Sequence, residues 1–558
     1  MNRLLAHGVL ALMASAAGVL PQQPAGSSLV EPSPLLMRQL ARNRLPTMPY
    51  RFHQGRPLDA TNMVRAADVD LDGDPDLVLG PGNGLRPRLL LNDGAGRFAE
   101  ATMTHMPSLT TVIVTQFQMV DLDGDGDLDF IGANYSSPLV PALGPWRPVT
   151  ILENDGTGHF SDVSALRGIL AYPTGYTWMF SSSCAAADFD GDGDIDVVLS
   201  GGGFAGAGRL SCRYWRNDST GHFTYDPSSF PSDTGQHADE WGDTLTADLD
   251  LDGDIDIISP GYPPGPAIWL NDGTGNFTDV SATHIDSSAL AFQFRTVELG
   301  DVDNDGDLDL FAAVIPPSGR HHTPQLFLHD GSGHFANVTA TQVPVDAIGG
   351  SALHFGDFDE DGDLDLVSVI PPIYQINYPG ESHCLVNDGS GRFELDREWR
   401  YFGRFANGYC KEVAVADLDR DGDLDTVEAS ASAMPDPPEH LPYYINTSRH
   451  VSADSAPRRA FPWRVRIHGT PNSPAVLALA FRAGSHPLPP LGRLGLDPAS
   501  LVLWQPFAVI PAGRELVYEI QIPNLPQLAG APLYVQALLN EPGKGLRLSN
   551  TWSEAAIQ

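Results

Sequence analysis

Short apolar runs separated by turn-forming clusters set the pattern of this chain. Val413-Ala414-Val415-Ala416 leads into an aspartate-rich loop, Leu77-Val78-Leu79 leaves one, and Leu89-Leu90-Leu91 enters an Asn-Asp-Gly turn. Runs this short, bounded by Gly and Asp, read as strands, and the Asp-Gly step is a strong hairpin signal. A fourth strand starts at the Phe that ends the turn. The turn Asn92-Asp93-Gly94-Ala95-Gly96-Arg97-Phe98 recurs from Asn154, Asn217, Asn271, His329 and Asn387, six times in all. The unit is therefore four antiparallel strands.

The aspartate loops recur seven times in the form D-x-D-x-D-G-D-x-D, beginning at Asp68, Asp121, Asp188, Asp248, Asp301, Asp357 and Asp417, at intervals of 53 to 67 residues. Self-similarity at such a period marks an array of supersecondary units. Seven units of four strands predict an all-β fold, a seven-bladed β-propeller; a linear solenoid is the alternative. From about Phe461 the loops stop, and runs such as Ala475-Val476-Leu477-Ala478-Leu479-Ala480 and Glu515-Leu516-Val517-Tyr518-Glu519-Ile520 lie between Pro/Gly turns. They predict a small C-terminal β-sandwich. The expected organisation is a signal peptide at 1–20, a linker at 21–47, the propeller at 48–448, a linker at 449–460 and the sandwich at 461–558.

Charge sharpens this picture. Thirty-five of the 70 acidic side chains are the repeated aspartates of the seven loops, and without them 35 acidic residues face 33 basic ones, so the net charge of −37 is almost wholly the repeat. Such a surface argues against nucleic acid and for multivalent cations.

Each loop carries five aspartates. They are Asp68, Asp70, Asp72, Asp74 and Asp76; Asp121, Asp123, Asp125, Asp127 and Asp129; Asp188, Asp190, Asp192, Asp194 and Asp196; Asp248, Asp250, Asp252, Asp254 and Asp256; Asp301, Asp303, Asp305, Asp307 and Asp309; Asp357, Asp359, Asp361, Asp363 and Asp365; and Asp417, Asp419, Asp421, Asp423 and Asp425. Side chains at positions 1, 3, 5 and 9, with a backbone carbonyl at 7, offer the oxygen ligands calcium prefers, for up to seven ions. Gly at position 6 permits a tight reversal, and position 4, which varies freely, faces away from the ion. An EF-hand needs Glu at position 12, where only Glu428 satisfies it.

These loops, the N-D-G-x-G-x-F turns and their spacing resemble FG-GAP/VCBS repeats, as in the propeller of integrin α chains, over about residues 48 to 448. The resemblance implies calcium held between the first two strands of each blade by loop positions 1, 3, 5, 7 and 9. The last 98 residues are similar to C-terminal β-sandwich modules of secreted bacterial repeat proteins.

Arg3 before an apolar run from Leu4 to Leu20, with Ala14-Ser15-Ala16 as a cleavage candidate, reads as a secretory signal, and no second run of spanning length follows. The expected location is secreted, extracellular or at the cell surface, with the periplasm as an option. Four cysteines allow three full pairings; proximity favours Cys184 with Cys212 and Cys384 with Cys410, against buried thiols. Blade seven lacks the G-x-F turn, so the N-terminus is expected to close the ring, with Tyr50-Arg51-Phe52 in place of the missing strand.

No G-x-S-x-G elbow, H-E-x-x-H helix or Cys/His nucleophile pattern occurs, so a binding or adhesion module with a glycan or protein ligand is the leading reading. A lyase-like polysaccharide enzyme and an envelope scaffold are the alternatives. In a four-strand meander the face opposite the aspartate loops receives the longer links, and the candidate ligand residues there are Tyr135, Trp146, Tyr176, Trp178, Trp241, Tyr262, Arg320, His321, His322, Tyr374, Tyr378, Trp399 and Tyr401.

Overall fold

The computed structural model describes residues 37–39, most of 63–432, 443–446, 451–453 and most of 459–557; the longer internal stretches left out are 136–148, 169–175, 206–211, 231–241, 371–380 and 396–407. The signal segment and residues 48–56 lie outside the described residues.

Among the described residues seven antiparallel sheets of four strands follow one another. The first is Met63–Ala67, Asp76–Gly80, Arg88–Asn92 and Phe98–Glu100, a meander in which each strand pairs with the next. An aspartate loop joins strands one and two, and an N-D-G turn joins three and four. The innermost strands are Met63–Ala67, Ile113–Val120, Ser183–Ala187, Leu245–Ala247, Gln293–Gly300, Ala352–Gly356 and Gly408–Ala416. Each touches the one before and the one after, and the last touches the first. The sheets therefore form a closed ring, which removes the free inner edges a stack would leave.

The apolar positions fill the spaces between sheets. Val78 and Leu89 of the first sheet pack with Phe117, Phe130 and Leu152 of the second, and five further layers join each later sheet to its neighbour. A seventh layer closes the ring, joining Val64, Leu77 and Leu79 to Ala414, Leu418 and Val427. Each side chain so buried contributes about 1.5–3 kcal/mol, so the blades hold each other and not themselves. The inner strands add polar clasps. Glu412 accepts the Val64 N–H at 2.8 Å, Gln116 accepts that of Cys184 at 3.0 Å, and Ser183 accepts that of Thr244 at 2.8 Å. Each clasp reaches from one blade to the next.

Three expectations are corrected here. The N-terminal side of the chain does complete the last sheet, but through Met37–Gln39, which pairs with Tyr444–Asn446 and falls within the stretch expected to be a linker. Val451–Ala453 lies in the second expected linker and pairs with Pro462–His468. Cys184 and Cys212 are thiols: the strand Asp196–Ser200 runs between theirs, and the two side chains enter different interblade layers. Strands two apart are about 10 Å from each other, beyond disulfide reach. Cys384 is likewise a buried thiol, and the side chain of Cys410 lies outside the described residues.

The C-terminal residues form two sheets across a shared apolar layer. Trp463, Val465, Tyr518 and Ile520 of one face Leu477, Val535, Ala537 and Leu539 of the other. The outer face of the second sheet is covered by the hairpin Ala483–Pro487 and Arg493–Leu496. This is the expected β-sandwich.

Candidate metal centre

The nine-residue loops share one hydrogen-bond frame. The position-1 carboxylate accepts the N–H of the position-6 glycine in all seven, at 2.9 to 3.1 Å. That glycine has φ between +88° and +100° throughout, so a side chain there is strained. Position 5 accepts the N–H of position 7, as Asp72 does from Asp74 at 2.9 Å. Position 4 is also left-handed, with φ near +60° at Leu71, Leu251, Asn304 and Arg420. Its sequence variety thus conceals a backbone requirement.

Position 9 is the buried anchor. Asp76, Asp129, Asp196, Asp256, Asp309, Asp365 and Asp425 are each no more than 2% exposed. One oxygen accepts the N–H of loop position 2, as from Leu249 to Asp256 at 2.7 Å, and the other accepts the N–H that opens the N-D-G turn, as from Asn271 to Asp256 at 2.7 Å. A single carboxylate thereby ties the loop to the turn beside it.

These frames bring carboxylate oxygens together. Positions 1, 3 and 9 converge within 4.8 Å at Asp68, Asp70 and Asp76, at Asp121, Asp123 and Asp129, at Asp188, Asp190 and Asp196, and at Asp301, Asp303 and Asp309. In the fourth loop Asp248, Asp250 and Asp252 converge instead. The position-7 carboxyl does not join them. A Cβ placed on Gly94, Gly273 or Gly389 would meet Asp74, Asp254 or Asp363 at 2.5 Å, so position 7 points its side chain at the turn glycine. Asp74, Asp254 and Asp363 thus turn their carboxyls to the neighbouring turn, which leaves the backbone carbonyl as the group expected from position 7. Asp359 and Asp421 lie outside the described residues.

Burial without a counter-charge dominates the electrostatics. It pushes Asp76, Asp129, Asp256 and Asp309 up to about 7 and Asp196 up to about 6, against the N–H bonds that favour ionisation. Burial and neighbouring carboxylates also raise Asp70, Asp250 and Asp303. Most telling is position 3. The Oδ1 atoms of Asp123, Asp190, Asp250 and Asp303 are buried with no hydrogen-bond partner. At Asp123 and Asp190 the other oxygen takes Arg167 and Arg216 respectively. A buried carboxylate oxygen with no hydrogen-bond partner at the same place in four loops, within an all-oxygen donor set, fits a hard cation.

The FG-GAP-like repeat family matches this chain over residues 68–132, 121–199, 248–312 and 301–368, stretches that begin on aspartate loops. The chain is a β-propeller carrying FG-GAP-like repeats over those residues. None of the curated proteins matches it significantly. Among solved structures, the chain is similar to an exo-β-1,3-galactanase from Phanerochaete chrysosporium at 8% identity, covering 89% of this chain and 96% of that one, with a TM-score of 0.32. A GH32 β-fructofuranosidase from Bombyx mori aligns at 11% identity over 90% of each chain, with a TM-score of 0.27.

The described ligand-face candidates sit at strand ends remote from the aspartate loops. Tyr135 pairs with Ile113 where the second sheet is longest. Tyr176 and Trp178 belong to the strand Tyr176–Met179, which pairs antiparallel with Gly203–Ala205 in a separate two-stranded sheet. The ring of His322 bonds the Gly350 carbonyl at 2.8 Å, which gives it a positioning partner. Trp146, Trp241, Tyr262, Arg320, His321, Tyr374, Tyr378, Trp399 and Tyr401 lie outside the described residues. Sequence reading missed the charged groups at the inner strands, where Arg65 bridges Asp243 and Glu412, and His354 bonds Glu298 at 2.6 Å. No motif marks them, because ring closure alone brings them together.

Proposed function

We propose that the aspartate loops hold calcium, up to seven ions, and that the protein is a secreted module for adhesion or for binding a glycan or protein. The carrying observation is the orphaned position-3 oxygen repeated in four loops. Calcium supplies positive charge there. The chain's own residues do the rest: the position-6 glycine orients position 1, position 9 is fixed by two N–H donors, and the layers between blades keep the cluster together. Elemental analysis of the dialysed full chain tests this reading; several calcium ions per chain are expected, and a chain free of divalent metal would contradict it.

The ligand is expected on the face opposite the loops. The aromatic residues Tyr176 and Trp178 in the sequence of one of the longer links support this, since aromatic side chains suit stacking on sugar rings or anchoring a partner. A glycan array is the first test, with Trp178→Ala, Trp146→Ala and Trp241→Ala expected to weaken the strongest hit. Secretion fits both the apolar N-terminal run and the finding that no described helix is long and apolar enough to cross a membrane.

A further inference from the structure

The asparagine that opens each N-D-G turn has a second bond. Its side-chain amide donates to the position-2 carbonyl of the preceding blade's aspartate loop: Asn154 to Val69 at 2.8 Å, Asn217 to Leu122 at 3.0 Å, Asn271 to Phe189 at 2.8 Å and Asn387 to Val302 at 2.7 Å. Asn92 makes the same bond to Leu418 at 2.9 Å, across the closure between the last blade and the first.

These bonds join into a relay. The Val69 carbonyl holds Asn154; the Asn154 N–H bonds Asp129; the other oxygen of Asp129 accepts the Leu122 N–H; and the Leu122 carbonyl holds Asn217. Asp129 belongs to the convergent set of its own loop. Every asparagine therefore ties the backbone of one loop to a carboxylate of the next, in one direction round the ring.

One described junction breaks the pattern. In the fifth blade the asparagine is replaced by His329, which keeps the N–H bond to Asp309 at 2.8 Å. Its ring turns onto its own blade, where it meets the N–H groups of Gly331 and Gly333 at 3.2 and 2.8 Å and Asp307 at 3.3 Å. No hydrogen bond joins it to Leu249, although Gly333 still packs against that loop. The Asn446 side chain, at the matching place in the last sheet, lies outside the described residues.

We propose that Asn92, Asn154, Asn217, Asn271 and Asn387 couple neighbouring cation loops, so that filling one loop favours the next, and that His329 interrupts this coupling between the fourth and fifth blades. The proposal rests on the reading that the loops bind calcium. A single rigid asparagine between two ordered backbones is a short physical path, and coupling between adjacent sites is commonly about fivefold or more in affinity.

The test is hydrogen exchange of the full chain in calcium, read by mass spectrometry on loop peptides, with bound calcium counted separately. Asp70→Asn weakens the first loop and is expected to raise exchange about fivefold or more in residues 121–129. Asp250→Asn weakens the fourth and is expected to leave 301–309 unchanged, because His329 stands between. In an Asn154→Ala background the Asp70→Asn effect on 121–129 disappears. The second measurement is calcium titration of His329→Asn, which gives the fifth blade the residue found in the other turns; a steeper isotherm than the natural chain is expected. Equal responses at both junctions, or an unchanged isotherm for His329→Asn, would overturn the proposal. Wild-type chain without calcium would instead overturn the reading beneath it.

Discussion

At the residue scale, loop chemistry depends on two backbone positions as much as on carboxylates. Gly306 has φ of +99° and open space where a side chain would sit, so Gly306→Ala isolates backbone strain from crowding. It should destabilise the calcium-loaded chain by about 1–2 kcal/mol in denaturant unfolding. Leu251 is the converse: a half-exposed leucine at φ +61°. Leu251→Asn, better suited to that conformation, should stabilise by up to about 1 kcal/mol. Position 6 was legible because glycine never varies there; position 4 was not, because leucine and arginine accept strain when the surrounding loop fixes them. The position-9 aspartates set the pH response. The folded value of about 7 for Asp76, Asp129, Asp256 and Asp309 stands above the 3.8 of the free side chain, so without calcium the fold gains from protonation, and that stability is lost as pH rises between about 4 and 7. Melting in a calcium chelator should therefore fall across this window, while saturating calcium should flatten the curve.

At the element scale, strand identity followed from the apolar runs and Asp-Gly turns, and the paired strands of all seven sheets agree with it. The closing strand did not. Met37–Gln39 is three residues on a sheet edge, held by backbone pairing to Tyr444–Asn446, and such a strand needs no apolar alternation for a reader to find. Tyr50-Arg51-Phe52, expected to fill that place, lies outside the described residues. Removal of residues 1–41 should expose the edge at Tyr444, lower the melting temperature and promote association, whereas removal of 1–30 should do neither. Sequence proximity also misled the cysteines, because it ignores the strand between Cys184 and Cys212. Reductant should leave the melting temperature unchanged.

At the scale of the whole molecule, stability resides between blades: seven apolar layers, inner-strand clasps and asparagine bonds all cross from one sheet to the next. Seven acidic clusters around the same ring oppose that cohesion, since the net charge of −37 is concentrated in them. The repeat count and the charge were legible in the sequence; the sharing of roles among the five aspartates, with 1, 3 and 9 converging and 7 facing the turn, required the fold. With calcium in these loops, the ring is expected to depend on it for stability. Differential scanning calorimetry of the full chain, after exhaustive chelation and again with calcium restored, tests it most directly. A large loss of melting temperature on chelation, recovered by calcium, is the predicted result; identical melts with and without calcium would contradict it.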